Sequence, residues 1–280
     1  MSARLSRLVT SSFLHFTLIA IALVWLVPTV GLFVTSWRPR PDIFGSGWWM
    51  AFATLRFTAE NYLEVLTSQG LSRNFFNSFA ITIPGTALPV LIGALAAYGF
   101  AWLKFPGRDW VFLIVVGLLV IPIQMTFVPA LQLANGLKLT RSLLAIWMAH
   151  TAYGLPFSIF LLRNFFAALP RDLIEAAKMD GASDLSVFWR IVLPLSVPAI
   201  ASLTIFQYLW VWNDLLTALI FVQDPNLLPM TVSIAKLLST YGTEWHLLSA
   251  ASFILMFVPL IIFFSLQRYF VQGILAGSVK

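Results

Sequence analysis

Residues 170–198 run PRDLIEAAKMDGASDLSVFWRIVLPLSVP, a charged island in an otherwise apolar chain. The island holds Arg171, Asp172, Glu175, Lys178, Asp180, Asp184 and Arg190, a quarter of the charge in a chain with 17 basic and 11 acidic residues among 280. Pro170 suits the start of a helix, where its missing N–H would be an orphan in any case. Leu173, Ile174 and Ala177 recur at helical spacing on one face. Gly181, after Asp180, reads as the glycine just past a helix end, where φ is positive. Ser183 then caps a second helix running through Leu185, Phe188, Trp189 and Val192. Pro194 and Pro198 end that helix. A hairpin of two short helices either rests on lipid headgroups or docks into a soluble partner. Glu175-Ala176-Ala177 sets small residues beside charge, and small residues permit close approach, whereas a lipid-resting helix calls for bulky apolar residues and lysine. The composition favours docking.

Outside the island the chain is poor in charge. Only 10% of the residues are charged and 60% are hydrophobic, where a soluble domain carries about a quarter charged residues. Mean hydropathy is +0.89. So little charge cannot cover a water-facing globule, and so apolar a chain is not disordered. The remaining class is an integral membrane protein. The net charge of +6 sits in short loops, with no basic stripe to track nucleic-acid phosphates. The chain has no cysteine, hence no disulfide framework and no thiolate metal site. His15, His150 and His246 show no metal-binding spacing, so no metal is expected.

A charge at the bilayer centre costs about 2.5–3.5 kcal/mol on insertion scales, so charge-free windows mark the spans. They predict six, at about 13–36, 77–103, 110–133, 143–163, 197–222 and 246–267, in a single membrane domain over 1–280. The fold class is therefore all-α. The first window follows Arg4 and Arg7 as a signal peptide would, but it is too long for an h-region and is read as a retained span. With the N-terminus inside, the inner segments hold Arg4, Arg7, Lys104, Arg108, Arg163, Arg171, Lys178, Arg190, Arg268 and Lys280. The outer ones hold Arg38, Arg40, Arg56, Arg73, Lys138, Arg141 and Lys236. This modest bias, ten against seven, favours both termini and the loop at about 168–197 on the cytoplasmic side but does not settle it by charge alone. Pro84, Gly85, Pro89, Gly93 and Gly99 in the second span, Pro122 and Pro129 in the third and Pro259 in the sixth predict kinks. Freed backbone groups of that kind pack against protein or line a cavity.

Two outer segments are long enough to fold. Residues 37–72 include a helix-like run from Ala59 to Leu66, and Trp48 and Trp49, which suit interface anchors. Residues 223–244 end in Thr240-Tyr241-Gly242-Thr243-Glu244. Within the spans, Gln124, Gln207 and Asn213 could hydrogen-bond a polar solute on a pathway, and Tyr208 could offer a stacking face. Each of these has a structural alternative as a helix–helix contact. Asp214 is the one acid well inside an apolar stretch, beside Trp210 and Trp212 near the outer interface. Helix capping and an outer-gate role both suit it, and a proton relay ranks lower.

Glu175-Ala176-Ala177, then three residues, Gly181, nine residues and Ile191-Val192-Leu193-Pro194 match E-A-A-x3-G-x9-I-x-L-P at every fixed position. The chain so resembles the permease subunits of ATP-binding-cassette importers. Asn77-Ser78, Trp212-Asn213-Asp214 and the ending from Gln267 to Lys280 are similar to the smaller permease of the carbohydrate-uptake family, of maltose-transporter type. The resemblance implies six transmembrane helices with a cytoplasmic coupling loop in the cell (inner) membrane. It implies that Glu175, Ala176, Ala177, Asp180, Gly181, Ile191, Leu193 and Pro194 couple the chain to the ATPase. By the same resemblance, the tail at Gly273, Gly277 and Lys280 reaches into the ATPase dimer, and Tyr241, Gly242, Thr243 and Glu244 enter a binding protein.

The implied partners are a second permease, an ATPase dimer, a periplasmic or lipid-anchored sugar-binding protein and the lipid bilayer, with no nucleic acid. The chain has no G-x4-G-K-[ST] phosphate cradle, so ATP and magnesium belong on the partner ATPase, and this subunit is expected to be neither catalytic nor cofactor-binding. The implied function is import of a di- or oligosaccharide or a glycoside by alternating access. A polyol or glycerol-phosphate cargo on the same architecture is the first alternative. A free-standing secondary transporter is the second, and it would want internal repeats and buried coupling groups, neither of which is visible. A membrane-embedded enzyme would need a catalytic cluster within the spans, and none is seen.

Overall fold

The computed structural model describes the backbone of residues 3–67, 70–241 and 244–278, and the side chains of 11–67, 70–237 and 244–267. Among them no strand occurs. In chain order the α-helices are α1 (Ala3–Ser36), α2 (Arg40–Gly45), α3 (Ala51–Thr54), α4 (Glu60–Thr67), α5 (Leu71–Trp102), α6 (Arg108–Gly117), α7 (Ile123–Gly136) and α8 (Leu144–Ala167). There follow α9 (Arg171–Met179), α10 (Asp184–Val187), α11 (Leu193–Leu195), α12 (Val197–Trp212), α13 (Leu216–Phe221), α14 (Met230–Tyr241) and α15 (Trp245–Ser278). Four segments are long and apolar enough to cross a bilayer unaided: Ser11–Ser36, Leu71–Trp102, Leu144–Ala167 and Trp245–Gln267. Two bent pairs bring the candidates to as many as six: Arg108–Val120 with Ile123–Gly136, and Asp184–Leu195 with Val197–Trp212.

The bends follow from proline chemistry. Between α6 and α7 the chain passes through a 3₁₀ turn and an extended Ile121 (φ −77, ψ 121) into Pro122. A residue before proline is pushed out of the helical region, and the two helices meet at 98°. The residues 110–133 thus form two helices with a corner. Before α12 the corner is Ser196 (φ −99, ψ 8), with Pro198 unable to donate to the preceding turn, and the bend is 78°. The stretch 197–222 also divides, at Asn213–Leu215, into α12 and α13.

The chain forms two compact units. The first comprises residues 1–71 and 234–254. Its tie is the end of α1 against α4. Asn61 donates to the carbonyls of Ser36 (2.8 Å) and Arg38 (2.9 Å), and the Tyr62 hydroxyl meets the Ser36 hydroxyl at 2.7 Å. Burial pushes the Tyr62 phenol above its ordinary pKa, and the Ser36 bond pulls the other way. Arg38 is only 2% exposed. Its guanidinium is held by the Asp42 carbonyl (2.7 Å), the Ser46 carbonyl (3.1 Å) and the Ser46 hydroxyl (2.6 Å), oxygen dipoles that replace lost water. The run expected to be helical from Ala59 is α4. Trp48 packs over Gly31, where a Cβ would come within 2.9 Å of the indole nitrogen, while Trp49 is exposed.

The second unit comprises residues 72–233 and 255–280. Its centre is α5 against α8 and α12. At Gly93 an added Cβ would lie 2.6 Å from Ser158 Cβ, so glycine is what lets α5 and α8 approach so closely, the device of membrane helix interfaces. Trp212, at the end of α12, is buried. Its indole donates to the Leu255 carbonyl (3.0 Å), and its rings meet Phe79 at 4.8 Å and Tyr208 at 5.6 Å.

Candidate functional site

The charged island folds as α9, a tight turn, and a second helical segment from α10 through α11. Asp172 sits in the first turn of α9 and Lys178 in the last, each on the side the helix dipole favours. Past α9, Gly181 N–H donates to the Lys178 carbonyl and Ala182 N–H to the Ala177 carbonyl, both at 3.0 Å. These are the paired bonds of a Schellman cap, and Gly181 has the required positive φ of 83°. Ser183 is the cap of α10, its hydroxyl accepting from Ser186 N–H at 3.3 Å. A 2.8 Å ion pair between Lys178 and Asp184 closes the hairpin.

The hairpin is rooted in the second unit. Ile174, Val187, Phe188 and Val192 are buried with Val90, Ala94, Ala97 and Tyr98 of α5, Leu162 and Phe166 of α8, and Ala199 and Leu203 of α12. Burying an apolar side chain of this size from water contributes about 1.5–3 kcal/mol. Residues 188–192 form a π-turn, which rotates the second segment so that Phe188 and Val192 point inward while Leu185 and Trp189 stay exposed. Leu173, expected on one face with Ile174 and Ala177, is instead exposed, at 46%. Ala177, Ile191 and Leu193 pack at the edge of this core. Glu175, Ala176, Asp180 and Pro194 are exposed, and so is Met179, at 88%. The free face of the hairpin thus combines carboxylates, a small alanine and an uncovered methionine.

The remaining predicted site residues fall in several places. Tyr241 ends α14, Glu244 immediately precedes α15, and Gly242 and Thr243 lie outside the described residues. Glu244 is tied down in the first unit. One carboxylate oxygen receives Arg40 at 2.8 Å and the other faces His246 at 3.4 Å. Gly273 and Gly277 lie in the last turns of α15. Lys280 lies outside the described residues.

Gln124 is exposed on the first turn of α7. Asn213 is exposed and donates to its own helix at the Leu209 carbonyl (2.8 Å). Asp214 occupies the break between α12 and α13. One of its oxygens accepts from Thr217 N–H (3.4 Å), which is helix capping. The other faces Nε2 of buried His150 at 3.7 Å, across a cavity of about 10 Å³, the scale of a single water. Tyr208 stacks on Trp212 at an interplanar angle of 16°. Among the described residues, no group of three or more His, Cys, Asp or Glu side chains is arranged to hold a metal ion.

Gln207 is 4% exposed, its amide nitrogen 3.3 Å from the Gly85 carbonyl of α5. It borders a cavity of about 270 Å³ between α8 and α12, shared with Tyr153, Gly154, Phe157, Phe206 and Trp210. The four aromatics were not singled out from the sequence. Their signal is two i,i+4 pairs, 153 with 157 and 206 with 210, a spacing that places each pair on one helix face. The same spacing serves any lipid-facing helix, so only the fold distinguishes them.

Residues 89–276 match the family described as "Binding-protein-dependent transport system inner membrane component". The chain is 50% identical over 272 residues to the osmoprotective compounds uptake permease protein GgtD of Synechocystis sp., covering 95% of this chain and 91% of that one. It is 51% identical over 231 residues to the alpha-glucoside transport system permease protein AglG of Rhizobium meliloti, covering 80% of this chain and 61% of that protein. Its fold is that of a chain in the crystal structure of a bacterial ABC transporter involved in import of the acidic polysaccharide alginate. The TM-score is 0.80 at 22% identity, over 96% of this chain and 99% of the other.

Proposed function

The chain belongs to the family of binding-protein-dependent transport system inner membrane components, and from that premise we propose that it is one permease subunit of an ATP-driven sugar importer. The observation that carries this reading is the hairpin of α9 and α10. It is rigidly capped and rooted in the helix core, yet it offers Glu175, Ala176 and Met179 on an uncovered face. Such a face suits a cleft in a soluble ATPase subunit. Glu175 makes the charged contact there. Ala176 and Ala177 allow close approach, and Asp180 and Gly181 make the turn. Ile191, Leu193 and Pro194 transmit the motion into α12.

In this reading the loop and both termini are cytoplasmic, and the chain spans the membrane six times, with each bent pair counted as one span. The complex holds this chain, a second permease, two ATPase subunits and a periplasmic or lipid-anchored binding protein. ATP and magnesium are held by the ATPases, and this chain does no hydrolysis. A switch requires differential contact with two states. Closure of the ATPase dimer on ATP draws the two coupling loops together and opens the pathway outward, and hydrolysis reverses this. The tail from Gly273 through Gly277 to Lys280 adds a second contact with the ATPases. The segment Tyr241-Gly242-Thr243-Glu244 enters the binding protein, with Glu244 fixing its root through Arg40. The cargo is a glycoside or a di- or oligosaccharide, as the description of AglG as an alpha-glucoside transport permease supports.

The test is Glu175→Lys in the whole complex in proteoliposomes. Uptake per ATP hydrolysed should fall about tenfold, a loss of about 1.4 kcal/mol of coupling, and Glu175→Gln should fall between the two. Unchanged uptake and unchanged ATPase stimulation in Glu175→Lys would remove the coupling role.

A further inference from the structure

The cavity between α8 and α12 is built differently from its neighbour. A second cavity of this unit, about 190 Å³, is walled mainly by leucine, alanine and methionine side chains such as Leu133, Leu137, Ala145 and Met148, with Thr126, Phe221 and the shared Tyr153. The cavity at Gln207 has four aromatic rings and one amide. The amide is set by a glycine. A Cβ at Gly154 would stand 2.5 Å from Nε2 and 2.9 Å from Oε1 of Gln207, so only glycine lets the amide lie against the α8 backbone. The nitrogen is engaged by Gly85. The amide oxygen has no hydrogen-bond donor among the described residues.

A lipid chain filling this space would leave that oxygen without a donor in a low-dielectric site, which is costly. A sugar ring would not. Its C–H faces suit aromatic rings, its hydroxyls supply donors, and a cavity of about 270 Å³, just under the usual range for small-molecule pockets of about 300–1,000 Å³, suits one ring.

We propose that this cavity is a sugar subsite carried by this chain, in which Tyr153, Phe157, Phe206 and Trp210 hold one ring of the cargo by its faces and Gln207 accepts from a ring hydroxyl. The proposal rests on the sugar-importer reading and adds that this subunit itself contacts the cargo.

The test uses the complete complex in proteoliposomes, with its binding protein and with radiolabelled sucrose and trehalose as α-glucoside probes. Uptake and binding-protein-stimulated ATPase activity are measured together. Gln207→Leu and Trp210→Ala should each lower uptake about tenfold or more and change the sucrose-to-trehalose ratio, with ATPase stimulation kept within about twofold of the unaltered complex. Phe157→Ala and Phe206→Ala truncate partly exposed rings, at 39% and 42%, and serve if Gln207→Leu fails to assemble. Met148→Ala, in the second cavity, should leave both readouts unchanged.

Uptake and ATPase activity falling in parallel, or uptake unchanged in the cavity variants, overturns the subsite. If the unaltered complex imports neither sugar although its ATPase responds to the binding protein, the cargo reading itself fails and the subsite with it. That outcome is distinguished by needing no variant.

Discussion

Gly181 and Ser183 set the hairpin by capping, which is local chemistry. A glycine past a helix end and a serine before the next need no tertiary information, and the paired bonds to Lys178 and Ala177 and the Ser183–Ser186 bond follow. Gly181→Ala forces a side chain into positive φ and should cost about 1–2 kcal/mol. Ser183→Ala should cost about 1 kcal/mol. Thermal unfolding of the purified complex, with the transport-to-hydrolysis ratio beside it, checks both. Arg38 is the opposite case. It read as one outer positive charge, but in the fold it is a buried hub for Asp42 and Ser46. Arg38→Met removes three donated bonds at once and should destabilise the first unit by several kcal/mol at about 1–3 each, seen as early proteolysis of residues 37–67. His150 and Asp214 lie on separate segments of the sequence. Their 3.7 Å approach joins α8 to the end of α12 and is not encoded in any spacing along the chain.

At the scale of elements, charge-free windows located the apolar stretches but not their corners. Pro122 and Pro198 were visible as helix breakers. The size of each turn, 98° and 78°, depends on what the flanking helices pack against, which periodicity does not report. The π-turn at 188–192 had no signal either, because it redistributes ordinary apolar residues between inside and outside. The close approach of α5 and α8 at Gly93 gives a test of the helix packing. Gly93→Leu drives a branched side chain into Ser158 and should destabilise the second unit by about 1–3 kcal/mol, as overpacking does. Gly99→Leu on the same helix, with open space around the glycine, should be tolerated. Comparing the melting temperatures of the two variants separates packing from a general effect of the added bulk.

For the whole molecule, sparse charge marks a membrane protein, and a quarter of that charge crowds into residues 171–190, the surface that the proposed function offers to a water-soluble partner. On the proposed function, energy enters there from an ATPase on another chain, and this sequence carries no G-x4-G-K-[ST] loop of its own. The most direct measurement is labelled-sugar uptake into proteoliposomes containing the complete complex, with ATP on the ATPase side and no ion gradient, comparing the unaltered chain with Glu175→Lys. The account predicts uptake that requires both ATP and the binding protein and that falls about tenfold per ATP hydrolysed in the variant. Uptake by this chain alone under a proton gradient, indifferent to ATP and to Glu175, would contradict it.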